Sequence, residues 1–176
     1  MRCEQQTLFV CFPVCAASRV IKNISTVKTV GGHKAVYGVT AVEDELFVLL
    51  CRDNNQVAVY SINEYDYKLV CHLNVPGLKP DSSNDMTSCV RHKCLYMPDF
   101  GNSCIHRYHL ASSAITKWSV PGDPVGLSVT PSCNLLVTCR GDPNKLVELS
   151  ADSGQCVREI ALQSDCVSVA WRTTDH

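Results

Sequence analysis

The chain has 176 residues, of which 45% are hydrophobic and 19% charged, and 16 Lys and Arg against 17 Asp and Glu give a formal net charge of −1. This length is sufficient for one sizeable core, and the composition argues against disorder. The basic and acidic residues form no long run, so the charge pattern favours neither nucleic acid nor an anionic membrane as the partner. No run of about 18 apolar residues occurs, so no membrane-spanning helix is predicted.

Residues 1–35 are the least regular part of the sequence, and we predict an irregular segment there, with a partial repeat unit as the alternative. Its apolar run LFVCFPVCAA, residues 8–17, follows Arg2 and loosely fits a signal peptide. Glu4 and Pro13 depart from that pattern, and a strand explains the run equally well. We therefore expect a cytoplasmic protein, with secretion as the alternative if residues 1–17 are a signal peptide.

Four strand-like segments follow in series after the turn formed by Gly31 and Gly32. Each is apolar or alternating, rich in β-branched and aromatic residues, and bounded by polar or turn residues. The segments are VYGVTAV, ELFVLLC, QVAVYSI and YKLVCHLNV, and they lie between residues 36 and 75.

Two further copies of this four-strand unit follow. The second copy is MTSCV, CLYMPD, CIHRYHL and AITKWSV, and the third is GLSVT, NLLVTC, KLVELSA and QCVREIAL. Gly38 and Gly126 occupy matching contexts 88 positions apart, and the steps through the middle copy are 47 residues (Asn55 to Asn102) and 41 residues (Asp99 to Arg140). The last segment, CVSVAW at residues 166–171, repeats the first strand of a unit.

A repeat of about forty residues with four strands is typical of β-propeller blades. We predict an all-β protein built of four-stranded antiparallel blades, as an incomplete or open propeller. The predicted boundaries are residues 1–35 for the irregular segment and 36–171 for the blades, divided into 36–80, 85–122, 124–165 and a first strand at 166–171.

The units LFVLLCRDNNQVAVYSI and LLVTCRGDPNKLVEL resemble NHL-type and related six-bladed propeller repeats. The shared pattern is an apolar strand, a short turn rich in Asp, Asn or Gly, and a second apolar strand. The resemblance covers residues 36–171. Asp99 and Asn102 match the acidic and amide positions of the NHL turn, whereas Arg52 and Arg140 replace the acid in the other units.

Twelve cysteines allow two interpretations, a disulfide framework or a set of reduced thiols. Disulfide frameworks belong mainly to small secreted domains that lack a core, whereas most of these cysteines lie within apolar strands, where a free Cys behaves as a small hydrophobic residue. We expect reduced thiols. The cysteines are Cys3, Cys11, Cys15, Cys51, Cys71, Cys89, Cys94, Cys104, Cys133, Cys139, Cys156 and Cys166.

Cys89 and Cys94 are separated by four residues with His92 between them, a spacing that suggests a zinc site. If the strand continues through this stretch, Cys89 and His92 point to opposite faces, so buried thiols are the better explanation. His106 and His109 lie on a strand expected to face outward, and none of the histidines sits in a catalytic motif. We predict no metal ligand, no cofactor and no catalytic residue.

The resemblance implies two alternatives to a scaffold. Lactonase-like propellers are metal-dependent hydrolases that hold calcium through oxygen ligands in the central channel, and only Asn84 and Asp85 offer such a pair here. Some NHL propellers are RNA-binding modules with a strongly basic face, but the basic residues here are scattered and the one local run is Arg91-His92-Lys93.

The function predicted is a non-catalytic scaffold that binds a protein or peptide through loops on one face, because loops carry recognition while the sheets hold them in place. RNA is the alternative partner, no membrane contact is expected, and open blade edges are expected to favour self-association. The predicted binding residues, from the turns between second and third strands, are Arg52, Asp53, Asp99, Asn102, Arg140 and Asp142.

Overall fold

The computed structural model describes residues 35–51, 56–62, 67–79, 85–163 and 169, and these contain twelve strands and one short 3-10 helix. The first four strands are β1 (Ala35–Val42), β2 (Glu45–Cys51), β3 (Gln56–Ile62) and β4 (Tyr67–Leu73). The next four are β5 (Thr87–Cys89), β6 (Cys94–Asp99), β7 (Cys104–His109) and β8 (Ile115–Ser119), with the 3-10 helix at Phe100–Asn102. The last four are β9 (Asp123–Val129), β10 (Leu135–Arg140), β11 (Lys145–Leu149) and β12 (Cys156–Ala161).

The strands form three four-stranded antiparallel sheets, each a simple meander of consecutive strands. The prediction of an all-β fold made of four-stranded blades is therefore confirmed, and we refer to the sheets as blades 1, 2 and 3 in chain order. One strand boundary differs, because the first strand of the third unit was predicted as GLSVT, residues 126–130, whereas β9 begins at Asp123. Of the predicted irregular segment, residues 1–34 lie outside the described residues and Ala35 begins β1, and all but one residue of the CVSVAW strand also lie outside them.

Strand β6 is the centre of the arrangement, since all six of its residues are buried. Its side chains alternate between two hydrophobic clusters, as the two-residue period of a strand requires. Leu95 and Met97 pack with residues of blade 1, and Cys94 and Tyr96 pack with residues of blade 3. A strand that is apolar on both faces is expected where neighbouring layers cover it on both sides.

Blade 2 thus lies between the other two blades, with one core on each side. The core toward blade 1 includes Phe47, Leu49, Val57 and Val59. The core toward blade 3 contains the paired aromatic rings of Tyr96 and Trp118, together with Leu127, Leu135, Val137 and Val147.

Polar contacts fix the inner strands of neighbouring blades against one another. The Thr40 hydroxyl lies 2.8 Å from the Ser88 hydroxyl, which donates to the Ala41 carbonyl at 2.9 Å. The backbone N–H of Asp85 donates to the Val125 carbonyl at 3.2 Å. A Cβ at Gly38 would lie 2.7 Å from the backbone nitrogen of Met86, so the glycine permits this close approach of blades 1 and 2.

The outer strands are much more exposed than the inner ones. Every residue of β12 is exposed, including Val157 at 58% and Ile160 at 45%, and in β4 Leu69 and Val70 are also exposed. Within the described ranges, no helix has the length and apolar character needed to cross a membrane.

Several tight connections between strands contain a residue with left-handed backbone, and these residues are not always the turn glycines. Gly101 and Gly141 lie in the turns after β6 and β10, and neither has a positive φ. In the turn after β6 the left-handed residue is Ser103, with φ of 46°. Gly77, Gly122 and Gly154 do have a positive φ, and Gly154, with φ of 70°, also lies against the Trp118 indole, where a Cβ would overlap the ring.

We predict that Gly154→Ala lowers the free energy of unfolding by about 2–4 kcal/mol, because the methyl group adds left-handed strain to overlap with the Trp118 ring. Gly141→Ala is the matched control, since Gly141 has no positive φ and a Cβ there would lie 3.6 Å from the Pro143 carbonyl oxygen. Urea unfolding of both variants measures the difference. Equal effects of the two substitutions would contradict the placement of the turn between β11 and β12.

Candidate functional site

Four connections meet at one end of the blades, and we call the surface they form the loop face. It consists of the turn after β6 (residues 100–103), the turn after β10 (141–144), the connection that follows β4 (74–79) and the connection between β8 and β9 (120–122), with Asp85 and Met86 at the entry to β5. Gly101 donates its backbone N–H to the Lys79 carbonyl at 3.3 Å, and Val120 donates to the Ser103 carbonyl at 3.1 Å. The Arg140 guanidinium of blade 3 lies 5.9 Å from the centre of the Phe100 ring of blade 2, so this contact links the two blades.

The structure places four of the six predicted binding residues at this face: Asp99 ends β6 and Asn102 lies in the turn after it, while Arg140 ends β10 and Asp142 lies in the turn that follows. Arg52 and Asp53 lie outside the described residues. Asn102, Arg140 and Asp142 are exposed, whereas Asp99 has no exposed surface. Asp99 therefore cannot contact a partner directly. It contributes to this face only by fixing the positions of the residues that donate hydrogen bonds to it.

The Asp99 carboxylate accepts hydrogen bonds from three different segments. The Nδ2 of Asn102 donates to both of its oxygens, at 2.9 and 2.8 Å, and the backbone N–H of Lys79 donates to Oδ1 at 3.2 Å. The third partner is His106 in β7, whose Nε2 lies 2.7 Å from Oδ2. A carboxylate cut off from water is costly unless its lone pairs are satisfied, and here both oxygens have at least two partners.

The His106 imidazole is as fully buried as the carboxylate that it meets. Because a carboxylate only accepts hydrogen bonds, Nε2 must carry the proton. Burial lowers the pKa of His106 below its ordinary value of 6.5, since desolvation outweighs the opposing pull of Asp99, and the neighbouring Lys117 charge also lowers it. A neutral ring leaves Nδ1 without a proton, and among the described residues Nδ1 has no hydrogen-bonding partner.

Asp99, His106 and Cys104 form a cluster whose ligand atoms lie within 4.8 Å of one another. A catalytic thiol needs a lowered pKa and access to a substrate. Burial raises the pKa of the Cys104 thiol, the Asp99 charge raises it further, and all three side chains are buried. The same burial gives a substrate no access to the thiol, so the cluster suits a structural role.

Sequence reasoning missed three residues of this site. His106 was expected to face outward and is instead wholly buried, because its position on β7 aligns it with Met97 of the buried strand β6. Lys79 and Phe100 were not singled out, although both border the Asp99 turn. The only sequence signal for His106 was its separation of seven residues from Asp99 across a predicted hairpin.

The oxygen pair proposed for a calcium site is placed only in part, because Asn84 lies outside the described residues. The Asp85 carboxylate accepts a hydrogen bond from the backbone N–H of Met86 at 2.8 Å. This contact explains its place at the entry to β5 without a metal.

Comparison with known proteins identifies the fold but no family. No family model matches the chain, and no curated protein matches it. Among solved structures of the propeller type, a glutaminyl cyclase from Myxococcus xanthus matches with a TM-score of 0.57 at 12% identity, over 80% of this chain and 65% of its own. A protein from Lactobacillus plantarum matches with a TM-score of 0.54 at 15% identity, over 73% of this chain and 42% of its own.

The chain thus spans less than two thirds of the length of these structures. At such low identities the matches show the fold alone, which is that of β-propeller blades.

We predict that Asp99→Ala destabilises the protein by about 3–5 kcal/mol, because it leaves the buried His106 Nε2–H and the Lys79 N–H without their acceptor and removes both carboxylate bonds of Asn102. Asp142→Ala, which removes an exposed carboxylate from the same face, is expected to change stability by about 0.5 kcal/mol or less. Chemical denaturation measures both. A cost below about 1 kcal/mol for Asp99→Ala would contradict the assigned hydrogen-bond network.

Proposed function

We propose that this protein is a non-catalytic binding module that holds a protein or peptide partner on its loop face. The observation that carries the proposal is the Asp99 network. It ties the connection after β4, the turn after β6 and strand β7 into one rigid unit beneath exposed side chains. A surface ordered before binding loses little conformational entropy when a partner docks.

The side chains above this network suit a polypeptide partner. Lys79, Arg140 and Asp142 are exposed and carry both signs of charge, and the half-buried Phe100 ring lies beside the Arg140 guanidinium. Arginine and aromatic residues are enriched at protein interfaces and supply much of the binding energy there. A segment with an acidic group for Arg140 and an apolar group for Phe100 would match this surface.

The chemistry of the buried cluster also favours binding over catalysis. In the described part of the chain, the Cys104 thiol near Asp99 and His106 has a raised pKa and lies out of reach of a substrate. RNA binding would call for a basic patch with stacking aromatics, whereas this surface combines Arg140 with Asp142 and offers one partly exposed ring.

The test is affinity capture with cross-linking, using the tagged full chain in an extract of the cells that produce it. We expect at least one protein whose recovery falls about tenfold with Arg140→Glu, equivalent to about 1.4 kcal/mol, and also falls with Phe100→Ala. Arg91→Glu is the matched control, because Arg91 is an exposed arginine in the turn between β5 and β6, at the opposite end of the blades. Thermal unfolding confirms that each variant is folded.

Two outcomes would contradict the proposal. In the first, no captured protein distinguishes Arg140→Glu from Arg91→Glu, which would remove the loop face as the binding surface. In the second, nuclease treatment abolishes capture and binding falls steeply with salt, which would establish the RNA-binding alternative.

A further inference from the structure

A second group of chemically active side chains lies at the end of the blades opposite the loop face. Cys89, His92 and Cys133 bring two sulfur atoms and one ring nitrogen within 4.8 Å of one another, and we call them the thiol cluster. Cys89 closes β5, His92 belongs to the turn before β6, and Cys133 belongs to the turn between β9 and β10. The cluster therefore spans the boundary between blades 2 and 3.

The strand ends earlier than the sequence suggests, and this brings His92 to Cys89. Strand alternation would place the two on opposite faces, but β5 stops at Cys89 and residues 90–93 form a turn. Lys93 closes the turn with φ of 46°, donating its N–H to the Val90 carbonyl at 3.2 Å. The expectation that Cys89 and His92 diverge was therefore wrong, because it assumed a longer strand.

A similar turn fixes Cys133. Its backbone is left-handed, with φ of 68°, and its N–H donates to the Thr130 carbonyl at 2.8 Å. The next residue, Asn134, donates its N–H to the Thr130 hydroxyl at 3.0 Å. Cys133 is thus held in an uncommon conformation that directs its thiol across the blade boundary to Cys89, and both thiols are free.

These donors suit a zinc ion. Thiolate sulfur and imidazole nitrogen bind Zn²⁺ at about 2.3 and 2.0 Å, so ligand atoms of a tetrahedral site lie about 3.5–3.8 Å apart. The 4.8 Å limit on the thiol cluster leaves only small side-chain movements to reach that spacing. Cys89 is buried while His92 and Cys133 are half-buried, so an ion can enter from the surface.

A carboxylate completes the surroundings of the cluster. Oδ1 of Asp152, in the turn between β11 and β12, lies 3.8 Å from Nδ1 of His92. Histidines that bind zinc commonly donate their other ring N–H to a carboxylate, which fixes the ring orientation. Three turns from two blades therefore bring two thiols and one imidazole together, with the Asp152 carboxylate at ion-pair distance from the imidazole.

We propose that Cys89, His92 and Cys133 bind a zinc ion that links blades 2 and 3, and that Asp152 orients His92. A fourth position remains for water. A zinc ion held by ligands from both blades stabilises their contact, because a preformed site of this kind exists only in the folded chain.

The experiment is a Zn²⁺ titration of the reduced full chain against a chromogenic chelator. We expect wild type to bind one equivalent more than Cys89→Ser or Cys133→Asn, each of which loses at least about 100-fold in affinity at this site. Asparagine is chosen at 133 because it tolerates left-handed backbone. Cys156→Ser is the control, since it removes an exposed thiol of blade 3 and should bind as wild type does.

Two further measurements keep the proposal testable if a cysteine variant fails to fold. Co²⁺ in place of Zn²⁺ should give wild type a sulfur-to-metal charge-transfer band, which His92→Ala and Asp152→Asn weaken by lowering affinity about 10- to 100-fold. Zn²⁺ should raise the wild-type Tm by at least about 4 °C and raise that of His92→Ala by less at the same Zn²⁺ concentration.

The proposal is overturned if wild type and both cysteine variants bind the same number of equivalents, or if Co²⁺ gives no charge-transfer band. It is also overturned if Cys89 and Cys133 are found joined as a disulfide and the reduced protein shows no Zn²⁺-dependent rise in Tm.

Discussion

The Asp99 carboxylate is the group on which the loop face depends. It has no exposed surface, so each hydrogen bond it would make with water must be replaced by one within the protein. Lys79, Asn102 and His106 supply those bonds, and they come from an inter-blade connection, a tight turn and a strand. Moving any of the three segments would leave a buried charge or a buried donor unpaired, so the segments keep one arrangement relative to each other.

Burial of β6 explains why such a network can exist at this position. Blade 2 is covered by blade 1 on one face and by blade 3 on the other, so every residue of its strand β6 is buried from solvent. Asp99 is the last buried residue of this strand, and the 3-10 helix Phe100–Asn102 that follows it reaches the surface. A polar group at this transition can stabilise the turn from beneath while its neighbours remain exposed. The thiol cluster lies at the opposite end of the blades, where the turns before β6 and β10 connect the exposed surface to these buried strands.

The strands were largely predictable because their signal is local. Period-two hydrophobicity, turn residues and the internal repeat predicted all twelve described strands and their grouping into blades. By contrast, the contacts that define the Asp99 network and the thiol cluster join residues on different strands or in different blades. His106 meets Asp99 through the register of β6 and β7, and Cys133 meets Cys89 across a blade boundary, so neither pair leaves a motif in the sequence. Backbone conformation was also beyond the sequence, since Ser103, not Gly101, is the left-handed residue of the Asp99 turn.

The central claim is that a neutral His106 donates from Nε2 to the buried Asp99. Nitrogen-15 NMR of the histidine side chains, assigned with His106→Gln, tests it most directly. We expect an Nε2–H tautomer for His106 that stays neutral as the pH falls below 6.5, because burial lowers its pKa. The unfolded chain binds a proton at this histidine in that pH range, so the stability of the native protein declines as the pH falls. A ring that carries its proton on Nδ1, or that becomes charged at or above pH 6.5, would contradict the account.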